Sequence, residues 1–90
     1  MSMPEPRKKA TALSYEPGSS GPRVIASGAG LIAERILAGA REAGVPIRED
    51  PALAQALSLL ELGDEVPEAL YIAVAETLAW AYRLDGKAAA

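Results

Sequence analysis

Along residues 8–15 the larger side chains Thr11, Leu13 and Tyr15 alternate with Ala10, Ala12 and Ser14, the period of two that gives a strand one better-filled face. Glu16-Pro17-Gly18-Ser19-Ser20-Gly21-Pro22 then breaks the pattern with loop-forming residues, and residues 23–27 resume it as a short second strand. After the tight exit Gly28-Ala29-Gly30 the period changes. Ile32, Ile36, Ala40 and Ala43 recur on one helical row, with Ala33 and Leu37 beside them, so residues 31–43 are predicted to be a helix. Gly44 supplies a left-handed cap, Val45 the apolar contact that follows it, and Pro46 forbids continuation. Residues 45–48 are expected to form a third strand; strand, helix, strand in that order implies a right-handed crossover and parallel neighbours. Asp50 caps a further short helix beginning at Pro51, with Leu53, Ala56, Leu57 and Leu60 on one face and Gly63 ending it.

The last helix, expected over residues 66–84, dominates the apolar content. It holds the single Trp and two of the three Tyr. Pro67 suits a first helical position and Glu68 the positive end of the helix dipole. Leu70, Val74, Leu78 and Ala81 form one apolar row and Tyr71, Ala75 and Tyr82 a second, while Glu68, Glu76 and Arg83 share a narrow stripe. Such a helix demands cover over most of its circumference, and the chain is expected to fold around it. Trp80, Tyr71 and Tyr82 are accordingly read as core residues. The pattern predicts an α/β fold: a small mixed sheet of about three strands flanked by three helices, in the order β-β-α-β-α-α. Residues 1–7 read as a flexible lead-in, 8–85 as one folded domain and 86–90 as a flexible tail.

Composition removes several classes of chemistry. A chain of 90 residues holds one modest core. It has neither Cys nor His, which excludes disulfides, thiolate nucleophiles and the common zinc sets, and no cofactor is expected. A net charge of −3 and few aromatic residues argue against nucleic acid as a partner. The longest strongly apolar run, residues 69–75, falls far short of the roughly 20 residues that span a bilayer. No signal peptide is evident, so the expected location is cytoplasmic.

Gly28-Ala29-Gly30-Leu31-Ile32-Ala33 fits G-x-G-x-x-A between a strand and a helix, with Glu49 about 20 residues on. A small nucleotide- or dinucleotide-binding protein is therefore one alternative. The simpler reading is that two glycines permit a sharp turn and close helix–sheet packing. The acidic pairs Glu49/Asp50 and Asp64/Glu65 each stand at a helix start and are read as cap or dipole partners. The serines lack a histidine to activate them, and no catalytic residue is expected.

The blocks ALSY at 12–15, PRVIASGAGLIAERI at 22–36, VPI at 45–47, LAQAL at 53–57 and GDEVPEALYIAVAETLAWAYRL at 63–84 occur in one order. Together they resemble the cytoplasmic C-terminal domain of the FlhB/YscU-type export switch proteins of type III secretion, in its flagellar branch. The resemblance implies a protein-binding module of flagellar export. Its expected partners are rod- and hook-type substrates or the export gate protein. In that family a shallow apolar pocket receives short hydrophobic segments, and its positions fall here on Gly21, Pro22, Ala75 and Leu78, with Gly21 in place of a usual alanine. Family members carry four membrane helices, a strand and a self-cleaving Asn-Pro-Thr-His motif ahead of this region. That motif aligns with Glu5, Pro6, Arg7 and Lys8, so a soluble, stand-alone relative that does not cut itself is expected. A decoy that competes with the full-length switch protein is the other alternative. An open sheet edge where the upstream strand would lie implies a monomer or a weak dimer.

Overall fold

The computed structural model describes residues 8–16 and 18–84. Two strands, β1 (Lys9–Ser14) and β2 (Arg23–Ala29), form an antiparallel hairpin. Helix α1 (Leu31–Ala43) follows, then α2 (Pro51–Leu57), a 3₁₀ turn (Glu68–Leu70) and α3 (Tyr71–Leu84). The α/β class holds, and so do the positions of both strands, of the first helix and of the start of the second; the second helix, expected to run on to Gly63, ends at Leu57. The expected third strand and parallel crossover do not form: among the described residues the sheet has two strands, paired antiparallel.

The reason lies in how α1 stops. Gly44 adopts φ 73°, ψ 21° and donates to the Arg41 carbonyl. The Val45 N–H reaches back to Ala40 at 2.9 Å, closing the helix end. With that donor used and Pro46 lacking one, residues 45–48 have little left to offer a ladder. They are held through a side chain instead, Arg48 Nη1 donating to Thr77 Oγ1 on α3 at 3.3 Å.

Strand β2 has a neighbour on its outer edge that periodicity did not reveal. Val24 donates to the Asp64 carbonyl at 3.0 Å and accepts from the Gly63 N–H at 2.8 Å, and the Val66 N–H donates to Pro22 at 3.0 Å. Residues 63–66 thus run antiparallel beside the start of β2, with a bridge between Arg23 and Glu65. Val24, bonded to this segment on one side and standing opposite Leu13 on the other, is fully buried.

The hairpin separates two small apolar layers. Ala10 opposite Gly28 faces α1, where Ala33 is buried. Leu13, three residues from Ala10 and so on the other face, packs on the cluster Leu53, Leu57, Val66 and Val74. Between them the register slips: Ala12 pairs with Ala26 but Leu13 with Val24, leaving Ile25 as the extra residue of a bulge, 59% exposed.

The last helix departs from expectation in start and cover. Val66 is buried and extended, and Pro67 (φ −67°, ψ 154°) stands before the first turn, so the helical run begins at Glu68. On α3 only Val74 is fully buried, with Leu70, Ala73 and Leu78 packed on the same cluster. Tyr71 and Tyr82 are about half exposed and Trp80 is intermediate, so the aromatic residues are not the core. Among the described residues, Leu53 and Leu57 of α2 with Leu13, Leu60 and Val66 share the cluster with this helix, enough to cover one row and not two.

Candidate functional site

Of the four positions expected to form a binding surface, Pro22 and Leu78 are tied to one feature. The Pro22 carbonyl holds the Val66 N–H, and Val66 belongs to the cluster on which Leu78 packs. Ala75 lies one turn before Leu78 on α3 and is exposed. Gly21 precedes Pro22 with φ 146°, a value L side chains rarely adopt, although a Cβ there would meet nothing within 4 Å. The hairpin loop is braced from below: Ser20 Oγ donates to Glu65 Oε1, and Arg23 pairs with Glu65 at 2.9 Å while donating to the Gly63 carbonyl. That ion pair is largely solvent-exposed and contributes mainly geometry. These contacts tie the end of the hairpin loop to residues 63–66 and, through Val66, to the cluster on which Leu78 packs.

Two open concavities, of about 450 and 410 Å³, lie at the other end of β2. Lys9, Ser27, Gly28, Ala29, Ser58, Leu60 and Leu62 line the first, and Ala29 to Ile32 the second. None of the four expected positions lines either one. The pattern of residues 58–62 continues that of a helix and so gives no sign of this region; α2 stops at Leu57, and only tertiary structure brings the following loop to β2.

The glycine turn is explained by packing. A Cβ on Gly28 would sit 2.2 Å from Ile32 Cγ2 and 2.8 Å from Ile32 Cβ, so the first turn of α1 rests on a position that must lack a side chain. Gly30 (φ 62°, ψ −126°) makes the turn and donates to the Lys8 carbonyl at 2.8 Å. The antiparallel β1–β2 pair is not the parallel β-α-β unit that a dinucleotide fingerprint requires.

The acidic pairs divide. Asp50 Oδ1 accepts from the Leu53 N–H at 3.1 Å, the expected cap of α2. Asp64 and Glu65 do not cap the last helix: Asp64 Oδ2 accepts from the Glu61 N–H at 2.9 Å and Glu65 takes Ser20 and Arg23. Among the described residues no three acidic side chains converge as a metal site would need. No helix among them is long and apolar enough to cross a membrane. Glu5, Pro6 and Arg7 lie outside the described residues; Lys8 is exposed just before β1.

A profile of the FlhB HrpN YscU SpaS family matches residues 4–81. YlqH of Bacillus subtilis (strain 168), an uncharacterized protein, is 47% identical over 81 residues, covering 89% of this chain and 87% of its own. The flagellar biosynthetic protein FlhB of Escherichia coli (strain K12) is 46% identical over 81 residues, which is 88% of this chain but only 21% of that protein. The hypersensitivity response secretion protein HrcU of Ralstonia nicotianae is 41% identical over 76 residues. Among solved structures, a mutated EscU C-terminal domain superposes with TM-score 0.80 at 29% identity, covering 84% of this chain and 94% of that one. The PscU C-terminal domain gives 0.78 at 30%, with coverage of 83% and 98%.

Proposed function

Because the chain belongs to the FlhB HrpN YscU SpaS family, we propose that it is a non-catalytic, protein-binding module of flagellar-type protein export. It acts on the cytoplasmic side and receives short apolar segments of rod- or hook-type export substrates at Gly21, Pro22, Ala75 and Leu78. The observation that carries the reading is the fold match to two type III C-terminal domains over more than four-fifths of the chain. The braced loop before Pro22 and the exposed Ala75 one turn from Leu78 are the kind of apolar, pre-formed surface such segments need. Ala75→Asp places a charge on an exposed helix position, so the fold should persist while affinity for a labelled hydrophobic segment of a rod-type substrate drops at least about tenfold, as a buried unpaired charge costs more than 1.4 kcal/mol. Undiminished binding by a variant with native circular dichroism removes the reading.

The chain is also proposed not to cut itself. In an Asn-Pro motif the side-chain amide closes a five-membered succinimide on its own carbonyl and expels proline. Glu5 would have to close a larger, six-membered anhydride through a carboxylate, which leaves the tetrahedral intermediate more readily than the proline nitrogen does, and Lys8 stands where the motif has histidine. The intact mass of purified chain should therefore show one species after prolonged incubation at neutral pH. A fragment beginning at Pro6 contradicts this.

A further inference from the structure

We propose that Glu65 is a positioning residue for the binding surface: its carboxylate fixes the tip of the hairpin loop, so that Gly21 and Pro22 meet a ligand already in one arrangement. Its role rests on the reading that these two positions, with Ala75 and Leu78, receive an apolar segment. The tip reads Gly18-Ser19-Ser20-Gly21, with glycine at either end at φ 88° and 146°. A Cβ at either would meet nothing within 4 Å, so packing does not hold these residues, and glycine loses more freedom than any other residue when a backbone is ordered. Ser19 is bonded inside the loop, its N–H and its hydroxyl both donating to the Glu16 carbonyl. Among the described residues one hydrogen bond joins the tip to a segment outside the loop, from Ser20 Oγ to Glu65 Oε1.

Glu65 can serve because it is itself placed. It stands opposite Arg23 in the bridge between residues 63–66 and β2. On either side of it the Asp64 carbonyl accepts from Val24 and the Val66 N–H donates to Pro22, both at 3.0 Å. The Arg23 guanidinium donates through Nη1 to the Gly63 carbonyl and through Nη2 to Glu65 Oε1, both at 2.9 Å, and so aims the oxygen that Ser20 reaches. Gly21 is therefore held from both sides, by the Ser20 side chain before it and by the Pro22 carbonyl after it. Without the carboxylate only the second tie remains, and Gly21 regains conformations on both sides of φ zero. A ligand must then order the tip as it binds, and its apparent affinity falls with the fraction of chains in the competent arrangement. Both side chains of the ion pair are nearly half exposed, so global stability should barely register the loss. Positioning is thereby separable from a structural role: binding changes while the melting temperature does not.

The full chain labelled with nitrogen-15 and its Glu65→Ala, Glu65→Gln and Ser20→Ala variants are each titrated with a labelled hydrophobic segment of a rod-type substrate. The wild-type Ser20 and Gly21 amides should have order parameters of about 0.85, falling below about 0.6 in Glu65→Ala and Ser20→Ala. Those two variants should bind about fivefold more weakly while melting within about 3 °C of wild type. Glu65→Gln keeps an oxygen for Ser20 and Arg23, and its affinity should stay within about twofold of wild type. Equal affinity of Glu65→Ala and wild type, where Ala75→Asp still weakens binding, overturns the role of Glu65 and leaves the binding surface standing. A rigid tip in Glu65→Ala overturns it too. So does a loss in Glu65→Ala that Ser20→Ala does not share or that Glu65→Gln does not rescue, since the carboxylate would then be touching the ligand directly. A wild-type chain that binds no segment overturns the surface and the role of Glu65 with it.

Discussion

Gly28→Val is expected to lower the thermal midpoint by roughly 12–24 °C, taking about 3 kcal/mol for an overpacked site and about 4–8 °C per kcal/mol in a domain of this size. Even the first added carbon meets Ile32 Cγ2 at 2.2 Å and Ile32 Cβ at 2.8 Å. Rotation of the isoleucine side chain relieves the first contact only, because Cβ is fixed to the backbone of α1. The helix must lift off the hairpin, uncovering Ala10 and Ala33 on the same face. Gly28→Ala should cost less, and Ile32→Ala in the same chain should recover part of that loss, since it removes Cγ2 and leaves Cβ. Urea midpoints of the two single variants and the double variant give the coupling directly. If Gly28→Val melts within a few degrees of wild type, the close approach of helix and strand is wrong.

Leu57→Ala should cost about 3 kcal/mol, within the range for truncating a fully buried leucine, whereas Leu59→Ala should stay within about 0.5 kcal/mol. The two residues are two apart in a run that reads Leu-Ser-Leu-Leu-Glu-Leu, and composition gives no reason to separate them. The structure does. Leu57 is 4% exposed and packs with Leu53, Val66 and Val74, while Leu59 is 84% exposed beyond the end of α2. Chemical denaturation of both variants decides the matter, and equal losses would mean that residues 58–62 continue the helix as their periodicity suggested.

Local signals were legible wherever one residue type had one physical use. Gly44 with Val45 and Pro46 marked the end of α1 to the residue, and Asp50 before Pro51 marked the start of α2. The alternation around Leu13 gave β1, and the loop from Glu16 to Pro22 gave the hairpin. What failed depended on partners far along the chain. The stretch Val-Pro-Ile looked like a strand, but a strand exists only if something pairs with it. Residues 63–66, which do lie against β2, carry Gly, Asp and Glu, a composition that signals a turn. The last helix was apolar on more sides than the chain could cover, and nothing in its own periodicity shows how much cover exists. Of the expected surface, Pro22 and Leu78 were placed by resemblance alone; no property of a proline in a loop or a leucine in a helix distinguishes them from structural residues. The bulge at Ile25 and the concavity beside Ser27 left no mark in the sequence.

The hairpin is only two strands wide, yet it divides the apolar interior into an α1 side and an α2–α3 side with no shared side chain of any bulk between Ala10 and Leu13. Substitutions on one side therefore have little means of being felt on the other. Residues of α3 and the hairpin loop can change without disturbing the α1 layer, where the approach of Ile32 to Gly28 leaves no room for an added carbon.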